Sequence, residues 1–239
     1  MALFAASLAV VPAYGQSKSD SWEYTASLNL WGAGVQGTTQ SGAVIDMSFS
    51  DILDNLDFTF MGAFEARKAK WSLLADLVYL NMSADQSGNL PGPGGALARL
   101  DVGVEGVVLG LGAGYNLADT ERGVHDVVFG ARYLNLDTSL KFTIGKESAG
   151  TSESGGIWDG IVGFRGRANL QGKWYLPYYI DIGTGQSDMT WQALVGVGYK
   201  YNWGDLVFSY RHLEWEFDAD SPIKDINFSG PNVQFKWYF

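Results

Sequence analysis

From Trp22 to Phe239, apolar and polar residues alternate with a period of two, and the pattern recurs ten times. The first run sets Trp22, Tyr24, Ala26, Leu28 and Leu30 against Glu23, Thr25, Ser27 and Asn29. The second sets Phe58, Phe60, Gly62, Phe64 and Ala66 against Thr59, Met61, Ala63, Glu65 and Arg67. A third follows from Trp71 to Tyr79, and later runs lie at about 99–115, 125–142, 157–169, 173–184, 188–201, 205–217 and 226–239. Successive side chains on a strand point to opposite faces, so each run reads as a strand with one apolar and one polar face. The expected fold is all-β, an antiparallel up-and-down barrel of ten strands. Eight is the alternative count if two weaker runs belong to loops.

Alternation alone does not say which face points outward. The aromatic residues do. Trp22, Trp71, Trp174, Tyr199 and Trp237 fall near short turns, whereas Tyr79, Tyr133, Trp158 and Trp191 fall toward longer loops. Trp71 and Tyr79 are separated by roughly 26 Å along a strand. A tilt of about 40° leaves about 20 Å of height, close to the roughly 25 Å apolar band of a membrane barrel. Two aromatic girdles at that spacing favour an apolar face turned to lipid. No stretch reaches the roughly 18 apolar residues of a membrane helix. A chain of this kind in a membrane must therefore close into a barrel, where every backbone polar group is paired.

The polar face then lines the lumen. By parity it carries Glu65, Arg67, Asp76, Glu105, Arg132, Asp159, Arg165, Arg167, Asp181, Lys200 and Arg211. Each such charge would cost about 2–4 kcal/mol facing lipid near the midplane. Inside, opposite charges can pair, and Gly103, Gly130, Gly163, Gly183, Gly196 and Gly198 leave room for long arginines. An ion-pair network packing the lumen is the expected arrangement, with a narrow water path or substrate relay as the alternative.

Connections alternate in length. Residues 68–70, 170–172 and 202–204 are tight turns, and 116–124 is longer. Residues 36–56, 83–98, 143–156 and 218–225 read as long polar loops, with 185–187 short among them. Within 36–56, Ser50 is a candidate cap for a short helix over 51–56. Pro91-Gly92-Pro93-Gly94-Gly95 reads as a loop tip. The segment 128–137 matches 207–216 in character at nearly every position, and both are expected to run upward.

The last strand places Val233, Phe235, Trp237 and Phe239 on the apolar face and Asn232, Gln234 and Lys236 on the polar one. An alternating terminal strand ending in Phe resembles the closure strand of small Gram-negative outer-membrane β-barrel proteins. The segment 46–56 is similar to one found in uncharacterised proteobacterial barrels. The resemblance covers 22–239 at the level of pattern. It implies a cell-envelope protein in the outer membrane, with outer-membrane lipids and lipopolysaccharide as neighbours. It also implies assembly machinery that reads the C-terminal strand, and a monomer. Residues 2–11 look like the core of a signal peptide, with small residues at 13 and 15 before Gln16, so 1–15 reads as a secretion signal. The missing basic segment fits an N-terminally truncated signal.

A net charge of −10 argues against nucleic acid as partner. The absence of cysteine excludes disulfides and thiolate metal sites. No cofactor or metal site is expected, since Asp218, Asp220 and Asp225 lack the spacing of a calcium loop. The resemblance suggests two enzyme types to weigh, omptin proteases and lipid A-modifying enzymes. His212, followed by Glu214, Glu216, Asp218 and Asp220, lies near the expected outer rim. Its parity with Phe208 and Tyr210 puts it on the outer face, away from a luminal site. A lipid A deacylase commonly carries His and Ser two apart on one strand, and His212-Leu213-Glu214 and His125-Asp126-Val127 lack that serine. The expected function is a non-enzymatic, porin-like or structural barrel. The alternatives are a surface enzyme and a barrel that binds ligand or host through acidic loops 36–56 and 214–225.

Overall fold

The computed structural model describes residues 21–42, 44–89, 97–144 and 147–239. The signal read at 1–15 and the loop tip at 91–95 lie outside the described residues. Twelve strand segments and one helix follow in chain order: β1 (Glu23–Trp31), β2 (Gly34–Thr39), β3 (Val44–Met47), α1 (Phe49–Asp54), β4 (Leu56–Lys68), β5 (Trp71–Asn89), β6 (Leu97–Thr120), β7 (Gly123–Ile144), β8 (Glu147–Asn169), β9 (Trp174–Gly185), β10 (Met189–Lys200), β11 (Asp205–Glu216) and β12 (Ile223–Tyr238).

From β4 to β12 each segment pairs antiparallel with the next. The ring closes where β12 meets β1, with Thr25 opposite Tyr238 and Trp31 opposite Asn232. β1 pairs with the lower part of β12 and β2 with its upper part, so the two form one barrel strand interrupted at Gly32 and Ala33. β3 pairs with β2, and β4 with β1, so these form a second barrel strand interrupted by α1. The result is a closed antiparallel barrel of ten strands. Closure removes the exposed sheet edges that so apolar a β chain would otherwise present.

Both ends of the barrel segment sit at the end carrying the tight turns. Gly204 shows why one of these turns needs glycine. Its φ is +154°, and an added Cβ would lie 1.9 Å from the Lys236 carbonyl oxygen. At the opposite end, β5–β6 and β7–β8 run on as long paired hairpins, from Trp71 opposite Tyr115 to Asn89 opposite Leu97 in the first. The readings of 83–98 and 143–156 as loops are thereby corrected over their described parts. Beyond the apolar band neither face needs to be buried, so alternation fades. The backbone ladder continues because it satisfies its own N–H and C=O groups. The expected helix is present but two residues earlier. Ser48 caps it, and Asp51 completes a capping box by accepting from the Ser48 N–H.

The exposed face of the barrel is the apolar one. Val195 is 63% exposed, Phe208 58% and Leu73 57%, whereas the inward Val207 and Leu213 are 1% and 0% exposed. Register carries Trp71, Trp174, Tyr199 and Trp237 outward at the turn end, and Trp22, just before β1, stacks on the outward Tyr24. Tyr79, Tyr133, Trp158 and Trp191 face outward toward the other end. The two similar segments occupy equivalent places on nearly opposite walls, β7 and β11. Val128 and Val207, Arg132 and Arg211, and Leu134 and Leu213 all point inward and are buried.

Candidate functional site

Ten of the eleven charges expected in the lumen are on its face. The exception is Glu105, which lies opposite Asn81 and shares the outer face with Leu109 and Tyr79. Gly103, two residues before it, shares that face. The register of β6 is unbroken from Tyr115 to Gly103, so alternation carried up from the outward Tyr115 and Leu109 places both residues outward and corrects the inward assignment.

Near the turn end, five barrel strands, β4 to β8, contribute to one cluster of charged and polar side chains. Arg165 Nη2 lies 2.7 Å from Glu65 Oε1 and 3.0 Å from Asp126 Oδ2. Arg67 donates to Glu65 through Nε at 3.0 Å and also pairs with Asp126. Asn116 Nδ2 donates to Asp126 at 2.9 Å, and Arg165 donates to Ser72 Oγ at 3.1 Å. Two guanidiniums thus share two carboxylates, with Asn116 as a neutral donor to Asp126 and Ser72 as a neutral acceptor for Arg165. On the other wall, Asp205 accepts from the Tyr175 and Tyr238 hydroxyls at 2.7 and 2.6 Å. The Lys200 ammonium and the Arg167 guanidinium lie 5.6 and 5.8 Å from the Tyr175 ring. Gly198 makes this possible, because a Cβ there would lie 2.3 Å from that ring.

A middle layer is built from the two equivalent arginines. Arg132 pairs with Asp181 and donates to Thr190 Oγ1 at 3.0 Å. Arg211 donates to Asp76 at 2.6 Å and to Gln192 Oε1 at 2.8 Å. Asp159 is 1% exposed and accepts from the Ser187 N–H at 2.9 Å.

Above them the lumen becomes apolar. Trp31, Val78, Val108, Leu134, Leu213, Trp215 and Ile226 form one buried cluster. The arginines link the halves, with the Arg211 guanidinium 4.6 Å from the Trp31 ring centre and that of Arg132 5.8 Å from Trp215. Each cation therefore has a carboxylate as partner and an indole face above it.

Sequence reasoning missed Asp126, Asp205 and Tyr175, which complete the charged layer, and Trp31, Leu213 and Trp215, which plug the lumen. Asp126 shares the parity of Arg132, so alternation carried to the start of β7 would have found it. Trp31 likewise extends the inward row of β1. The plug was obscured by the assumption that an inward face is polar throughout.

The expected closure strand is in place, with Val233, Phe235 and Trp237 opposite Leu30, Leu28 and Ala26 on the outer face. Phe239 follows the strand, and its backbone bonds to that of Tyr24 in both directions.

His212 points outward, as its parity requires. Its Nδ1 lies 2.6 Å from Ser229 Oγ on β12 and its Nε2 2.9 Å from Glu214 Oε2. The same Glu214 oxygen accepts from Trp191 Nε1 at 3.1 Å, and the Trp191 ring lies 4.4 Å from the imidazole. Ser229 stands directly opposite His212 in the β11–β12 register.

At the loop end, the Asp188 carboxyl is pushed above the usual range. A hydrogen bond with Asp218 is the main cause, followed by desolvation and repulsion from Asp218 and Glu216. Among the described residues, no three His, Asp or Glu side chains are grouped to hold a metal ion.

No family model and no curated protein matches the chain. Solved barrels do. The outer-membrane protease OmpT of Escherichia coli aligns over 94% of this chain and 99% of its own, with TM-score 0.50 and 9% identity. The translocator domain of the autotransporter NalP from Neisseria meningitidis aligns over 91% and 88%, with TM-score 0.45 and 16% identity. At such identities the likeness is one of fold, that of outer-membrane β-barrels.

Proposed function

We propose that this chain is a closed envelope barrel of the Gram-negative outer membrane, whose lumen is a structural network and not a conduit. The carrying observation is the double seal. Arg132–Asp181 and Arg211–Asp76 bridge the lumen wall, and the Trp31–Leu213–Trp215 cluster fills the space above them. The outward apolar face between two girdles supports a membrane setting, with lipid and lipopolysaccharide against it. The closure strand supports insertion by the barrel-assembly machinery, and the complete ring supports a monomer.

Planar-bilayer recording tests this reading. Wild-type protein is expected to give no stepwise conductance, and Trp31→Ala combined with Trp215→Ala is expected to produce steps. Regular steps from wild type would favour the porin-like reading and overturn the sealed one.

A further inference from the structure

We propose that Ser229, His212 and Glu214 form a nucleophile, base and orienting carboxylate on the outer face, and that they hydrolyse acyl esters of lipids lying against the barrel. The reading goes beyond a sealed lumen and departs from the expectation of a non-enzymatic barrel. Three observations carry it.

The first is geometry. A serine hydroxyl and a carboxylate each lie within hydrogen-bond reach of a different nitrogen of one imidazole, at 2.6 and 2.9 Å. This is the arrangement that activates a serine, recognised by geometry and not by chain order. Here Nδ1 serves the serine and Nε2–H the carboxylate. The Trp191 indole N–H holds the carboxylate in place from the other side, at 3.1 Å.

The second is the surface beside it. A groove of about 250 Å³ is lined by Tyr178, Ile180, Ala193, Val195, Tyr210 and His212 on the outer face. Ala193 pairs with His212 and with Ile180, and its small side chain opens the groove beside the imidazole. The walls are almost wholly apolar and continue the outward apolar face, so the fitting occupant is the acyl chain of a membrane lipid.

The third is height. Ala193 lies two residues below the girdle residue Trp191, and His212 and Ser229 are level with Ala193. The three groups therefore sit at the upper border of the apolar band, where lipid ester linkages meet acyl chains.

The reaction balances without a metal or redox partner. Ser229 Oγ attacks the ester carbonyl while His212 Nδ1 takes its proton, and the C–O bond to the alcohol breaks as His212 returns that proton to the departing oxygen. Water then attacks the acyl-serine with His212 as base, releasing the fatty acid and restoring Ser229. The Asn227 side-chain oxygen lies 3.4 Å from Ser229 Oγ and accepts from its hydroxyl, so this amide stands beside the attacking oxygen.

The test uses the full refolded barrel, with p-nitrophenyl palmitate in mixed micelles as probe. Wild type is expected to hydrolyse it, and a long-chain fluorophosphonate to label Ser229, located by mass spectrometry of the digested protein. Ser229→Ala is expected to lower kcat by at least about 1,000-fold. Glu214→Gln is expected to lower kcat more than it changes KM, and to alter the pH profile. Heat-modifiable migration verifies that each variant is folded. Fatty-acid release from phosphatidylglycerol vesicles and from lipopolysaccharide aggregates then separates the two lipid sources. Absence of hydrolysis and labelling by the wild type in all three presentations, or hydrolysis untouched by Ser229→Ala, overturns the proposal. Labelling of the folded wild type stands as a result even if a variant fails to fold.

Discussion

The two halves of the lumen are held by opposite physics. Near the turns, Glu65, Arg67, Asp126 and Arg165 occupy one another's hydrogen-bonding capacity, so each charge is tolerable only because the others are present. Toward the loops, Leu213 and Trp215 are fully buried in an apolar cluster, with the Arg132 guanidinium 5.8 Å from the Trp215 ring. A charge network responds to the loss of one member by stranding the rest. An apolar plug responds by leaving a cavity proportional to what was removed. Arg132 and Arg211 belong to both regimes, with carboxylates on one side and indoles on the other.

The largest effect should come from Asp126→Ala. It leaves Arg67 and Arg165 with one carboxylate between them, and a cost of about 3–5 kcal/mol is expected from breaking a buried pair. Urea unfolding in lipid vesicles measures it, and a loss below about 1 kcal/mol would show the lower network to be as loosely coupled as surface charge. Trp215→Ala should cost about as much, about 3–5 kcal/mol, but by cavity formation. Filling that cavity with a small apolar solute should restore part of the loss, whereas the same solute should leave Asp126→Ala unchanged.

The contrast sharpens with a paired exchange. Asp181→Leu alone strands Arg132 and should be strongly destabilising, whereas Asp181→Leu with Arg132→Met should lie within about 1–2 kcal/mol of wild type or above it. An additive double variant would contradict the network account.

The smallest effects belong to the loop-end surface. Asp188 titrates above the ordinary carboxylate range because Asp218 and Glu216 crowd it. Its folded pKa exceeds its unfolded one, so the folded rim gains stability as pH falls and loses it as pH rises through the raised value. Asp188→Asn should flatten that slope in a melting series across mildly acidic pH. Asp51 behaves oppositely, since its hydrogen bonds to Ser48 hold its carboxyl low. The cap of α1 is therefore strong above the usual carboxylate pKa and weakens as pH falls through the lowered one.

Much of the fold was legible because a strand's period of two converts sequence directly into faces. Trp22 to Leu30, Phe58 to Ala66 and Val233 to Phe239 could be assigned outward residue by residue, and the inward charges at Arg132, Asp181 and Arg211 followed. The rule was misapplied at Glu105, which the unbroken register of β6 puts on the outer face with Leu109 and Tyr115. It also failed to show that 83–89 remains strand, because a ladder outside the band is held by backbone bonds that leave no mark on composition. The helix start at Ser48 was missed by two residues, since Ser48 and Ser50 are both competent caps and only the bond pattern around Asp51 separates them.

Alternation, the capacity to close into a ten-stranded ring, and the sharing of faces among side chains belong to the chain as written. Those properties are local, set by the geometry of one strand. Which residues meet across strands was decided only by the tertiary structure. Asp126 reaches Arg67 across 59 residues of chain, Asp76 reaches Arg211 across 135, and Ser229 comes level with His212 through the β11–β12 register. A shift of one residue in that pairing would turn the serine inward. Register is set by ring closure and by the packing of the whole barrel, so the serine beside His212 was invisible to any search along a single strand.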